Sequence, residues 1–82
     1  MEIPVRAIVL IQAKGGHRDE IYSALMEMTE NGVIKAIRTQ GTYDLHVEVE
    51  SKTELEYVEL LDAIRGINNV DHVTDDRIIY KS

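Results

Sequence analysis

Apolar and polar positions recur with two different periods along this chain, and each change of period marks an element. Residues 5–13, VRAIVLIQA, are almost continuously apolar, with Arg6 and Gln12 as the only polar members, which predicts a strand. Lys14-Gly15-Gly16-His17-Arg18 breaks the run. Ile21, Ala24, Leu25 and Met28 then recur at helical spacing behind Asp19 and Glu20, where a helix start favours negative charge. Asn31-Gly32 offers that helix a left-handed cap. Residues 33–39 resume a strand, residues 40–42 turn, and residues 43–50 run back as the second arm of a hairpin. In this arm Leu45, Val47 and Val49 point one way and Asp44, His46, Glu48 and Glu50 the other, giving one dry face and one wet face.

The second half repeats the scheme. Ser51-Lys52-Thr53-Glu54, overlapped by Thr53-Glu54-Leu55-Glu56, is a capping-box pattern that opens a second helix. Leu55, Val58, Leu61 and Ile64 are its expected buried stripe, and Arg65-Gly66 its end. Residues 70–81 form the last strand, with Ile78 and Ile79 as its firmest apolar members. The two halves close their helices alike, with Asn31-Gly32-Val33 in one and Asn68-Asn69-Val70 in the other. No linker interrupts the pattern, so residues 1–82 read as a single domain. The order predicts an α+β, ferredoxin-like βαββαβ fold: a four-stranded antiparallel sheet with two helices on one face.

Such a sheet has one bare face. A central strand wetted on that side should alternate, yet Ala7, Ile8, Val9, Leu10 and Ile11 do not. Isolated exposed apolar side chains are ordinary on protein surfaces, but five in succession predict cover from a second copy of the sheet. Residues 7–11 are therefore the expected interface of a homodimer, an αβ-sandwich, with the parity of the facing side chains left open. The length agrees, because 82 residues bury only a marginal core and association adds buried area.

Composition narrows the function. Hydrophobic residues at 44% and charged residues at 29% are ordinary for a soluble globular domain. The absence of cysteine excludes disulfides, thiolate metal sites and a cysteine nucleophile together. Nine basic against fifteen acidic residues give a net charge of -6, which repels a phosphate backbone and argues against direct nucleic-acid binding. The first apolar run is too short to span a bilayer and has no cleavage site, so a cytoplasmic location without membrane association is expected.

Few residues suggest chemistry. Gly15-Gly16 lacks the spacing of a phosphate loop, with acidic residues directly behind it, and reads as a strand-to-helix turn. His17, His46 and His72 are scattered without metal-ligand spacing, so neither a metal nor a cofactor is expected. Tyr22 and Met26 flank the first helix's stripe as core edge or interface. Glu54, Glu56, Glu59 and Asp62 read as a solvated helix face.

The segments RAIVLIQAKGG, IYSALMEM, NGVIKAIRTQGTYDLHVEV and IRGINNVDHV together resemble the ligand-binding domain of the Lrp/AsnC family of transcriptional regulators, the RAM domain. The likeness covers nearly the whole chain, and Gly41, Tyr43 and Asp44 are its most specific piece. It departs at Thr42, where the family often has aspartate, and at Val73 and Asp75, where the family often offers threonines. The resemblance implies ferredoxin-like dimers that assemble further, often into octamers, with amino-acid effectors bound between dimers. It places Gly41, Thr42, Tyr43, Asp44 and Asp75 at that site. A free amino acid presents an ammonium and a carboxylate on one carbon, and a glycine turn beside an aspartate offers N–H donors and an acidic acceptor. Equally, Asp44 can simply hydrogen-bond its own turn. The family's helix-turn-helix is not seen here, so the resemblance is to a stand-alone form. That form implies a sensor without enzymatic activity, with full-length Lrp/AsnC-type regulators as candidate partners. The alternative is a small dimeric αβ-barrel enzyme of oxygenase or isomerase type, with a pocket lined by His46 and Tyr43.

Overall fold

The computed structural model describes residues 4–78. Strand β1 (Val5–Ala13) leads into helix α1 (Arg18–Met26) and a short 3-10 turn (Thr29–Asn31). Strands β2 (Val33–Arg38) and β3 (Leu45–Ser51), helix α2 (Glu54–Arg65) and strand β4 (Val70–Arg77) follow. The sheet runs β2-β3-β1-β4, and every neighbouring pair is antiparallel. This is the expected ferredoxin-like βαββαβ fold.

Register divides the two faces of the sheet, because residues paired across antiparallel strands share a face. Val9 stands opposite Val47 on one side and Asp75 on the other, and Ile11 opposite Leu45 and Val73. Ala7, Val9, Ile11, Leu45, Val47 and Val49 are fully buried beneath Ile21, Leu25, Tyr57 and Ile64 of the helices. The unbroken apolar run of β1 is thereby split. Ala7, Val9 and Ile11 belong to the protomer's own core, which takes them out of the expected interface of residues 7–11 and fixes the parity that the sequence left open. Only Ile8 and Leu10, both half-buried, lie on the bare face.

Helix α2 starts where the capping pattern says. Thr53 accepts a hydrogen bond from the Glu56 N–H at 3.1 Å, and the Glu56 carboxylate accepts one from the Lys52 N–H at 3.2 Å. Its buried stripe, however, is Tyr57, Leu60, Leu61 and Ile64, while Leu55 and Val58 are 68% and 45% exposed. The correction is geometric. Leu55 and Ile64 are nine residues apart, about two and a half turns, and so lie on opposite sides of a helix. Tyr57, Leu60, Leu61 and Ile64 follow the three-four spacing that stays on one side.

Three further boundaries differ. Helix α1 ends at Met26, because the N–H groups of Glu27 and Met28 reach back only three residues, to Ala24 and Leu25. Gly32 does take the left-handed conformation, φ 118°, but it caps the 3-10 turn. Strand β3 begins at Leu45, since residues 39–44 form the loop. Strand β4 stops at Arg77 and leaves Ile78 40% exposed, whereas Ile79 and Lys81 lie outside the described residues.

Candidate functional site

The β2–β3 loop is fastened to the rest of the fold at four points. Thr39 closes it, its N–H donating to the Asp44 carbonyl at 2.8 Å and its hydroxyl to the Tyr43 carbonyl at 2.7 Å. The Asp44 N–H continues the sheet by donating to the Ile11 carbonyl at 2.8 Å. One oxygen of the Asp44 carboxylate accepts from the Ala13 N–H at 2.8 Å, and the Gln12 side-chain amide donates to the Thr42 carbonyl at 2.9 Å. From α1, Arg18 donates to the Thr39 carbonyl at 3.0 Å. Beside it, Arg38 pairs with Asp19 at 2.7 Å and lies 3.9 Å over the Tyr22 ring.

Gly41, Thr42, Tyr43 and Asp44 are thus held together at the end of β1, next to the start of α1. Gly41 and Thr42 are exposed, Tyr43 and Asp44 half-buried, and Gly41 has φ 115°. The Asp44 side chain bonds outside its own turn. Its carboxylate reaches 31 residues back in sequence and finishes the β1–β3 ladder where the strands part. The pins from Gln12 and Arg18 carry no local sequence signal, since each depends on the register between distant elements.

Asp75 stands elsewhere. It faces the helices and accepts a hydrogen bond from the buried Tyr57 hydroxyl at 2.7 Å. Burial and the neighbouring Asp75 carboxylate push the Tyr57 hydroxyl's pKa well above its ordinary range. Arg77 lies 4.7 Å over the same ring and donates to both carboxylate oxygens of Glu54, at 2.7 and 2.6 Å. That contact holds the Glu54 carboxyl below the usual carboxylate range. Asp75 is committed to joining β4 to α2.

The helix-free face presents rows of paired residues. Ile37, His46, Leu10 and Thr74 form one row, and Lys35, Glu48, Ile8 and Asp76 the next. Arg6 pairs with Glu48 at 2.8 Å beside them. The three histidines do not meet: His17 contacts Glu20, His72 contacts Thr74, and His46 stands between Ile37 and Leu10. Among the described residues no group of three His, Asp or Glu is gathered for a metal. A cleft of about 580 Å³ opens at the far end of β3, and neither His46 nor Tyr43 lines it.

Comparison with known proteins places this geometry. No family model matches the chain. The chain is 30% identical over 67 residues to the HTH-type transcriptional regulator FL11 of Pyrococcus furiosus, an alignment covering 82% of this chain and 43% of that protein. It therefore spans less than half the length of that regulator. Among solved structures it superposes on FFRP-DM1 with a TM-score of 0.83 and 28% identity, covering 92% of this chain and 99% of the other. It superposes on E. coli AsnC with a TM-score of 0.73 and 19% identity, covering 94% of this chain and 52% of AsnC. The fold is the RAM-like fold of these regulators. The chain is a domain related to the Lrp/AsnC family of transcriptional regulators.

Proposed function

We propose that the chain is a self-associating regulatory domain that senses a free amino acid and does not itself bind nucleic acid. The observation that carries this reading is the helix-free sheet face. There Ile8 and Leu10, on a central strand, share the face with the 46%-exposed Ile37 and have no cover from the protomer's own helices. A second sheet packed on that face gives the homodimer, and further association of dimers, up to octamers, creates sites between them. The loop of Gly41, Thr42, Tyr43 and Asp44 is suited to such a site, because it is pinned in place yet leaves Gly41 and Thr42 open. Asp44 beside exposed backbone N–H groups matches the two charges of an amino acid. Full-length regulators of the same family are the natural partners for co-assembly, since they carry the same kind of sheet.

A thermal-shift screen with the twenty amino acids tests the sensor, because a ligand of the folded state raises the melting temperature. Asp44→Asn keeps an oxygen for the Ala13 N–H but loses the charge, so calorimetry should show affinity weakened by about 1.5–3 kcal/mol. Unchanged affinity in that variant would assign Asp44 to the fold alone. In a low-salt gel shift with mixed duplex DNA, salt-sensitive binding at micromolar concentration would contradict the absence of nucleic-acid binding expected from the charge of -6.

A further inference from the structure

The cleft at the far end of β3 holds features that the amino-acid site does not use. We propose that it binds a small aliphatic polyamine, a ligand whose ammonium groups are separated by methylene chains. The cleft of about 580 Å³ lies between the 3-10 turn and α2, at the end of β3 opposite the β2–β3 loop. Helix α2 turns Glu56, Glu59, Leu60 and Ala63 toward it, one face at three-four spacing, while Met28 and Glu30 line the other wall. Its shape rests on a close backbone approach: a Cβ on Gly32 would stand 2.6 Å from the Glu50 carbonyl oxygen and 3.1 Å from Leu60.

The second, independent observation is Ser51. It continues the helix-facing parity of Leu45, Val47 and Val49, is 5% exposed, and lines the cleft. Its hydroxyl has no hydrogen-bond partner among the described residues. Buried hydroxyls nearly always have a partner, because an unmet one forfeits its hydration. A hydroxyl oxygen accepts well from an ammonium N–H. Four glutamates, Glu30, Glu50, Glu56 and Glu59, against one lysine, Lys52, leave the lining negative. Glu30 and Glu59 form no ion pair among the described residues. The carboxylates are not gathered for a single metal ion, and apolar Met28, Leu60 and Ala63 share the lining with them. Separated negative charges over an apolar wall fit separated positive charges on a hydrocarbon chain. The volume falls within the range of small-molecule sites, about 300–1,000 Å³.

Calorimetric titration of the chain with spermidine tests this, with magnesium chloride at matched ionic strength and a trilysine peptide as comparisons. Saturable binding at one molecule per chain is expected for spermidine and not for magnesium. Ser51→Ala and the double variant Glu30→Gln/Glu59→Gln should each weaken it about tenfold. The exposed pair Glu27→Gln/Asp71→Asn, outside the cleft, should leave it unchanged. Circular dichroism checks that Ser51→Ala is folded; if it is not, the double variant decides. Equal weakening by both double variants, or undiminished binding in folded Ser51→Ala, would mean diffuse attraction to an acidic surface and overturn the site. Binding of trilysine without spermidine would overturn it in favour of a protein partner.

Discussion

Gly32 and Gly41 both hold φ values that side-chain-bearing residues rarely adopt, 118° and 115°, yet their surroundings differ. A Cβ at Gly41 meets nothing within 4 Å, whereas one at Gly32 runs into the backbone of Glu50. Gly41→Ala should therefore cost only the conformational term, about 1–2 kcal/mol. Gly32→Ala should add an overpacking term of about 1–3 kcal/mol. Urea denaturation of the two variants measures the difference, and equal losses would remove the close approach as a constraint. Gly32 was legible in the sequence, because asparagine–glycine after a helical stripe marks a left-handed cap. Asp44 was only half legible. Its position beside a glycine turn suggested a local hydrogen bond or a ligand, but its acceptance from the Ala13 N–H depends on strand register. Asp44→Ala strands that N–H and should lose about 1–3 kcal/mol of stability.

Helix α2 shows how far a pattern carries at the scale of one element. Its start, end and cap were all readable, because capping is chemistry between near neighbours. Its buried face was misread by favouring apolar residues three apart over the series containing Tyr57, whose ring is amphipathic and whose partner lies 18 residues away. That partner gives α2 a pH signature. The Tyr57 hydroxyl ordinarily titrates near 10 and is raised in the fold by burial and by Asp75. A raised folded value means that the bond's contribution is complete below pH 10, where both states hold the proton. Above it the unfolded chain loses its proton first, so the contribution falls as pH climbs toward the folded value. Tyr57→Phe should be less stable than the parent by about 1.5–3 kcal/mol at pH 8, from the loss of a hydrogen bond to a carboxylate. The gap should narrow between pH 10 and 11, by at most about 1.4 kcal/mol per unit. Guanidinium melts of both proteins at pH 8 and pH 11 check this. A gap independent of pH would show that Tyr57 contributes through packing and not through its proton.

For the whole molecule, the fold class followed from the order of elements, and the unbroken β1 run signalled that both faces of the sheet need cover. Which residues face which way was not readable, because a run without alternation has no parity until its neighbours are placed. With the register known, β1 offers a paired test of self-association. Val9 is fully buried under the helices, while Ile8, its neighbour in the chain, lies between Glu48 and Asp76 on the bare face. A two-fold interface uses the same patch from both copies, so each substitution there counts twice. Fully burying an isoleucine contributes about 1.5–3 kcal/mol, and a glutamate in its place adds the cost of burying a charge against a second copy. Ile8→Glu should accordingly leave a folded chain, with circular dichroism unchanged, whose mass by light scattering is that of the monomer. Leu10→Glu, one row along on the same face, should behave alike. Val9→Glu places the same charge inside the protomer and should abolish folding whatever the state of assembly. The unsubstituted chain should scatter as a dimer or larger at micromolar concentration. If it scatters as a monomer, or if Ile8→Glu keeps the parent's mass, the bare face is not where copies meet. Loss of folding in Ile8→Glu as in Val9→Glu would instead mean that the protomer cannot stand without its partner, and dilution of the unsubstituted chain would then unfold it as it dissociates.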